Sequence, residues 1–197
     1  MCYPQSDKES VAPATEPLTT AEVKAHLRVD GSDEDAYIGT LAQSARRLLE
    51  QVTHRAFVTQ TRISRYDAFP PMFQHQRSPM QSVTSIAYLD GAGASQTLSS
   101  AMYTVDVHSE PARIVPVVGQ SWPQTQDTLN AVTLTYVCGY GAASAVPEIV
   151  KTWIKRMVSH WFELREPITT GTILSYEDIP VGDLRSILVA IGTGDYY

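Results

Sequence analysis

The sequence predicts an α+β fold: a small helical bundle, two helices at each end of the chain, with an antiparallel β-sheet module inserted between them. Three observations carry this. Apolar or small side chains recur with helical spacing at Tyr37, Ile38, Leu41, Ala45, Leu48, Leu49 and Val52. That periodicity vanishes between Phe57 and Tyr140, where short runs rich in Val, Ile, Thr and Tyr alternate with Pro and Gly. It returns at Ile149, Val150, Trp153, Ile154, Met157, Val158 and Trp161. A chain of 197 residues, 43% hydrophobic, suffices for one core or a core with a satellite module.

Residues 1–17 hold Pro4, Pro13 and Pro17 among polar side chains without periodicity, the pattern of a flexible arm that could order against a neighbouring subunit. The bundle starts at 18–56. Thr19 and Glu22 form a T-x-x-E capping box, and Leu18 can pack on Val23 as a hydrophobic staple. Losing the Thr19 cap would cost about 1 kcal/mol. This first helix should end near Val29, before the Asp30-Gly31 turn. Ser32 then precedes Asp33, Glu34 and Asp35, a cap and three acids suited to the start of a long second helix. That role explains the acidic cluster better than a metal site does.

Within the inserted module, 57–141, strands are expected at 57–66, 83–89, 96–98, 103–107, 112–115 and 131–138. Asp90-Gly91 with Gly93 marks a hairpin-type turn. Pro70, Pro71, Pro79, Pro111, Pro116 and Pro123 belong in connections or on edges. The bundle resumes at 142–191. Pro147 and Glu148 open a helix whose charged residues Lys151, Lys155, Arg156 and Glu163 lie off the apolar face. A last amphipathic segment places Leu184, Ile187, Leu188 and Ile191 on one stripe, before a tail, 192–197, ending in Tyr196-Tyr197.

Chemistry-bearing patterns are weak. The two cysteines, Cys2 and Cys138, make neither a disulfide framework nor a zinc pair. No two of the five histidines stand three or four apart, so there is no helical metal clamp. His160, Glu163 and Arg156 could share a helix face, which more often means a surface hydrogen-bonded cluster than an acid–base pair. Gly139-Tyr140-Gly141 lacks the third glycine of a dinucleotide loop and reads as a turn needing positive φ. Neither a nucleophile elbow nor a P-loop is present. Hence no catalytic residue, cofactor or metal is expected. The net charge of −6, with basic residues scattered, disfavours gripping nucleic acid but allows a surface that DNA slides past. No run approaches the roughly 20 apolar residues of a membrane span, and the N-terminus does not read as a secretion signal, so assembly in a cytoplasm is expected. Trp122, in a polar Pro-flanked loop, can cap the sheet or anchor a partner.

The succession L-T-x-x-E-V-K-x-H-L-R-V-D, then S-D-E-D and a long helix before Thr53-His54-Arg55-Ala56-Phe57, resembles the opening of the tailed-phage head–tail connector (adaptor) family. P-M-Q-S-V-T-S-I-x-Y-L-D-G at 79–91, Pro111-Ala112-Arg113-Ile114 and G-Q-S-W-P at 119–123 continue the resemblance. T-x-x-Y-x-x-G-Y-G at 133–141, Val146-Pro147 and H-W-F-E-x-R-E at 160–166 extend it, so that it runs from Leu18 to about Ile191. The resemblance implies a structural virion protein of the neck, a homo-oligomeric ring of about twelve copies closed by a heterologous contact. Such a ring sits under the portal protein, contacts a stopper or tail-completion protein, and lets genomic DNA pass without sequence-specific binding or any membrane. On that view Leu184, Ile187, Leu188, Ile191, Tyr196, Tyr197 and Trp122 are the candidate partner-binding residues. Deleting residues 192–197 should then abolish portal binding and leave the fold intact. Three rivals remain: a tail-completion or terminator protein, a small hydrolase using His160 and Glu163, and a monomeric host-side binding module.

Overall fold

The computed structural model of the chain describes residues 4–74 and 77–164. Its elements run β1 (Ser6–Val11), α1 (Thr20–Leu27), α2 (Asp35–Thr53), β2 (Gln60–Tyr66), β3 (Met80–Leu89), β4 (Ser95–Thr97), β5 (Tyr103–Asp106), β6 (Arg113–Pro116), β7 (Val132–Cys138) and α3 (Glu148–Glu163). The α+β class predicted from sequence is the class observed. The chain divides into two compact units, a sheet unit (Met1–Ala14 with His54–Gly141) and a helical unit (Thr15–Thr53 with Ala142–Tyr197). Three helices lie among the described residues, and the predicted last segment, with Leu184, Ile187, Leu188 and Ile191, lies outside them. No helix among the described residues is long and apolar enough to cross a membrane.

In the helical unit the capping box forms as its spacing requires. The Thr19 hydroxyl oxygen accepts the Glu22 N–H at 3.2 Å, and the Glu22 carboxylate accepts the Thr19 N–H at 2.8 Å. The Thr19 N–H and the Thr19 hydroxyl, which also donates to the carboxylate at 2.8 Å, come first, with Lys155 and Lys151 adding less, in holding the Glu22 carboxyl below its ordinary pKa. Leu18 and Val23 are both buried, as a staple needs. The helix stops at Leu27, two residues before Val29, because Arg28 turns left-handed (φ 57°) and returns its N–H to Lys24. The second helix corrects the sequence reading at its start. Ser32 is not its cap; its carbonyl accepts the Asp35 N–H at 3.2 Å, closing a turn that delays the helix to Asp35.

The buried stripe of α2 is Ile38, Ala42, Ala45 and Leu49, whereas Leu48 is 40% exposed. Arg46, only 1% exposed, shares that face. Glu16 receives it from Nε at 2.7 Å and Glu50 from Nη1 at 2.6 Å, so the buried guanidinium is paired on two sides. The third helix packs on α1 and α2 through Val150, Trp153, Ile154, Met157 and Val158. Lys151, expected off the apolar face, is buried along its stem and reaches Glu148 with Nζ at 2.8 Å.

The sheet unit has a five-stranded sheet in the order β1-β2-β7-β3-β4, every pair antiparallel, and a separate β5-β6 pair. In the central strand Val132, Leu134, Tyr136 and Cys138 are buried and the residues between them half-buried, the period of two a packed strand requires. The hairpin predicted at Asp90 is present. Its carboxylate accepts the N–H groups of Ala92 and Ala94 at 3.0 Å each, and Gly93 takes φ +83°. Residues 6–11 correct a second expectation. Instead of a free arm they form β1, paired with β2 along the edge of the sheet.

Candidate assembly surfaces

What fixes β1 is one carboxylate. Asp7 sits opposite Ser64 in the register, so its side chain shares the face of β2 that carries Arg62 and Ser64. Arg62 donates from Nε to Asp7 Oδ2 at 2.9 Å and a second time to the Asp7 carbonyl at 3.1 Å. The Ser64 hydroxyl reaches Oδ1 at 3.0 Å, the Tyr136 phenol reaches it at 2.9 Å, and Arg77 Nε stands 3.6 Å from Oδ2. Burial is the largest influence and works against the Arg62 charge, but Asp7, Tyr136 and Cys138 together outweigh it and the guanidinium pKa rises. The Tyr136 phenol is pushed well above its ordinary 10, first by burial and then by the Asp7 carboxylate.

The sign of the Tyr136 effect gives a test. A phenol held neutral in the fold contributes stability fully present below the unfolded value of 10.0, lost as pH rises toward the folded value. Wild-type urea stability should therefore hold up to about pH 9 and fall as pH rises past about 10. Tyr136→Phe should flatten that fall while lowering stability near neutrality by about 1 kcal/mol through the lost bond to Asp7.

Trp122 caps the sheet core from its loop. Its ring stacks on Phe69 (centroids 5.0 Å, 9° between planes) and meets Phe73 edge-on at 5.5 Å, with Nε1 buried and unpartnered. Of the two roles sequence allows for Trp122, this geometry favours packing within the chain. The neighbouring tip is apolar and outward: Val118 is 99% exposed beside Gly119 (φ +83°), and the Gln120 N–H closes the turn on Val117. In the helical unit an open groove of about 290 Å³ is lined by Leu18, Ile38, Gly39 and Ala42.

The remaining candidates bring little together. His160 gives its carbonyl to the Leu164 N–H at the end of α3, and Glu163 closes that helix on its exposed side. Among the described residues no group of three or more His, Cys, Asp or Glu could hold a metal ion. Leu184, Ile187, Leu188, Ile191, Tyr196 and Tyr197 lie outside the described residues. The Asp7 hub, which sequence reasoning missed, had no signal of its own, since one aspartate in a polar segment is unremarkable until its partners converge.

Known proteins resemble this chain in two ways. A family model described as phage gp6-like head-tail connector protein matches residues 18–90, which span α1, α2, β2 and β3. That match ends well short of the extent read from sequence. Among curated protein sequences none matches significantly. A chain from the neck of an empty gene transfer agent (GTA) particle, computed with C6 symmetry, superposes at TM-score 0.72, with 21% identity over 86% of this chain and 90% of that one. A chain from the virion of the native GTA particle gives 0.71 at 21% identity, covering 91% and 93%. One from the native neck, computed with C12 symmetry, gives 0.67 at 21%, covering 85% and 88%. The fold is thus that of these GTA neck chains, and residues 18–90 match the model of the phage gp6-like head-tail connector protein.

Proposed function

We propose that the chain is a structural, non-catalytic virion protein: a head–tail connector whose copies close into a ring under the portal and join the DNA-filled head to a stopper or tail-completion protein. The observation that carries this reading is the coincidence of two similarities. The connector-family match falls on 18–90, and the fold around it follows neck proteins over nearly their whole length. The C12 symmetry of one related neck supports a ring of twelve for this chain. The net charge of −6 suits the wall of a DNA conduit, because it offers phosphates no basic patch to hold them.

Portal contact is assigned, on sequence pattern alone, to Leu184, Ile187, Leu188, Ile191, Tyr196 and Tyr197. Electron microscopy of the purified chain mixed with its portal should reveal a closed ring of density on the portal's tail-facing end. The variant lacking residues 192–197 should fold and leave the portal bare. Binding to tail-tube protein in place of portal would move the subunit to tail completion, and binding to neither would refute the neck role.

A further inference from the structure

We infer that β1 is an exchangeable strand: in the assembled ring, Asp7 of each copy fills the Arg62–Ser64–Tyr136 socket of the next copy. The inference rests on the ring reading above and names the contact that closes the ring.

Four observations support it. First, β1 is remote in sequence from the sheet it completes, since the whole of 15–53, α1 and α2 included, belongs to the other unit. Second, the chain is pinned on both sides of a short link. Glu16 is held by Arg46 inside the helical unit, Asp7 is held by the socket, and the unit boundary falls between Ala14 and Thr15. The link carries Pro13, whose fixed φ and missing N–H keep it out of helix and ladder. Third, β1 contributes almost nothing apolar. Lys8, Glu9, Ser10 and Val11 are exposed, so its attachment is backbone pairing with β2 and the one carboxylate.

Fourth, the socket cannot stand empty. Without an aspartate, Arg62 is a buried guanidinium facing no counter-charge, and the Ser64 and Tyr136 hydroxyls lose their acceptor. The edge of β2 would also present an unpaired ladder. An exchanged strand makes the same bonds as a retained one, so the choice between them is set by local concentration, which a ring makes high. Exchange also favours closure. A closed ring fills every socket, whereas an open chain of copies leaves one empty and one arm loose.

The register supplies the test, because Ser6 lies opposite Arg65. Full-length Ser6→Cys/Arg65→Cys, made with Cys2→Ser, is prepared unlabelled and 15N-labelled, mixed, assembled on portal and oxidised. Exchange predicts a ladder above the dimer on a non-reducing gel and bridged peptides carrying one label of each kind. Either single variant should stop at the dimer, since a ladder needs two cysteines per chain. Portal-bound rings whose bridges join only like-labelled positions, with a monomer band, would overturn exchange and leave the connector role standing. If the portal is not bound, the connector role fails, and the same protein concentrated alone decides exchange: a mixed-label ladder supports it and a monomer band refutes it.

Discussion

Asp7→Ala should lower the stability of the sheet unit by about 3 kcal/mol. The mutation deletes a carboxylate that Arg62, Ser64 and Tyr136 all donate to, and leaves the guanidinium buried without a counter-charge. Breaking a buried pair from one side costs about 3–5 kcal/mol. The lower end applies because Asp7 itself keeps 18% of its side chain in water. Asp7→Asn should fall between the two, since it keeps an acceptor for the hydroxyls but not the charge. Urea unfolding gives the magnitude, and amide exchange gives the place, with Ser6–Val11 and the β2 edge losing protection first. Full protection of β1 in Asp7→Ala would show that backbone pairing alone holds the strand.

This residue also marks the limit of what was legible in the sequence. Where burial follows a period, sequence reasoning succeeded in part: Ile38, Ala45 and Leu49 of the α2 stripe are buried while Leu48 is not, a strand forms within 131–138, and the Asp90 turn closes, all local patterns with local causes. Where burial is decided by a partner remote in sequence, it failed. Ser6–Val11 reads as polar arm because its ladder partner is fifty or more residues away, and nothing in SDKESV alternates. Lys151 reads as a surface charge because the packing that covers its stem is a tertiary fact, and the burial of Arg46 against Glu16 leaves no local signal. The family resemblance was read from ordered short motifs between Leu18 and about Ile191, of which the family model matches residues 18–90. Trp122 was recognisable as an aromatic anchor, but Phe69, the ring it stacks on, could not be named in advance.

Gly139→Ala should be as damaging as Asp7→Ala, at about 3 kcal/mol, for a reason wholly in the backbone. Gly139 follows β7 with φ +123°, a region that L side chains rarely enter. A methyl group there would stand 2.5 Å from the Val58 carbonyl oxygen and 2.7 Å from the Thr59 nitrogen, main-chain atoms that cannot rotate aside. Nor can the segment slide away. The Gly139 N–H is held by Pro79 at 2.9 Å, the Tyr140 N–H by Phe57 at 3.1 Å, and the Thr59 N–H by Gly141 at 2.9 Å. Relief therefore requires opening the end of β7 from both flanking segments. Gly39→Ala sets the opposite sign. That glycine lies inside α2 with nothing within 4 Å of the position a Cβ would take, so alanine should stabilise the helical unit by about 0.5–1 kcal/mol. Urea midpoints of the two variants, moving in opposite directions from wild type, check both together. Equal shifts would mean that loss of a glycine, and not the collision with Val58, governs the response.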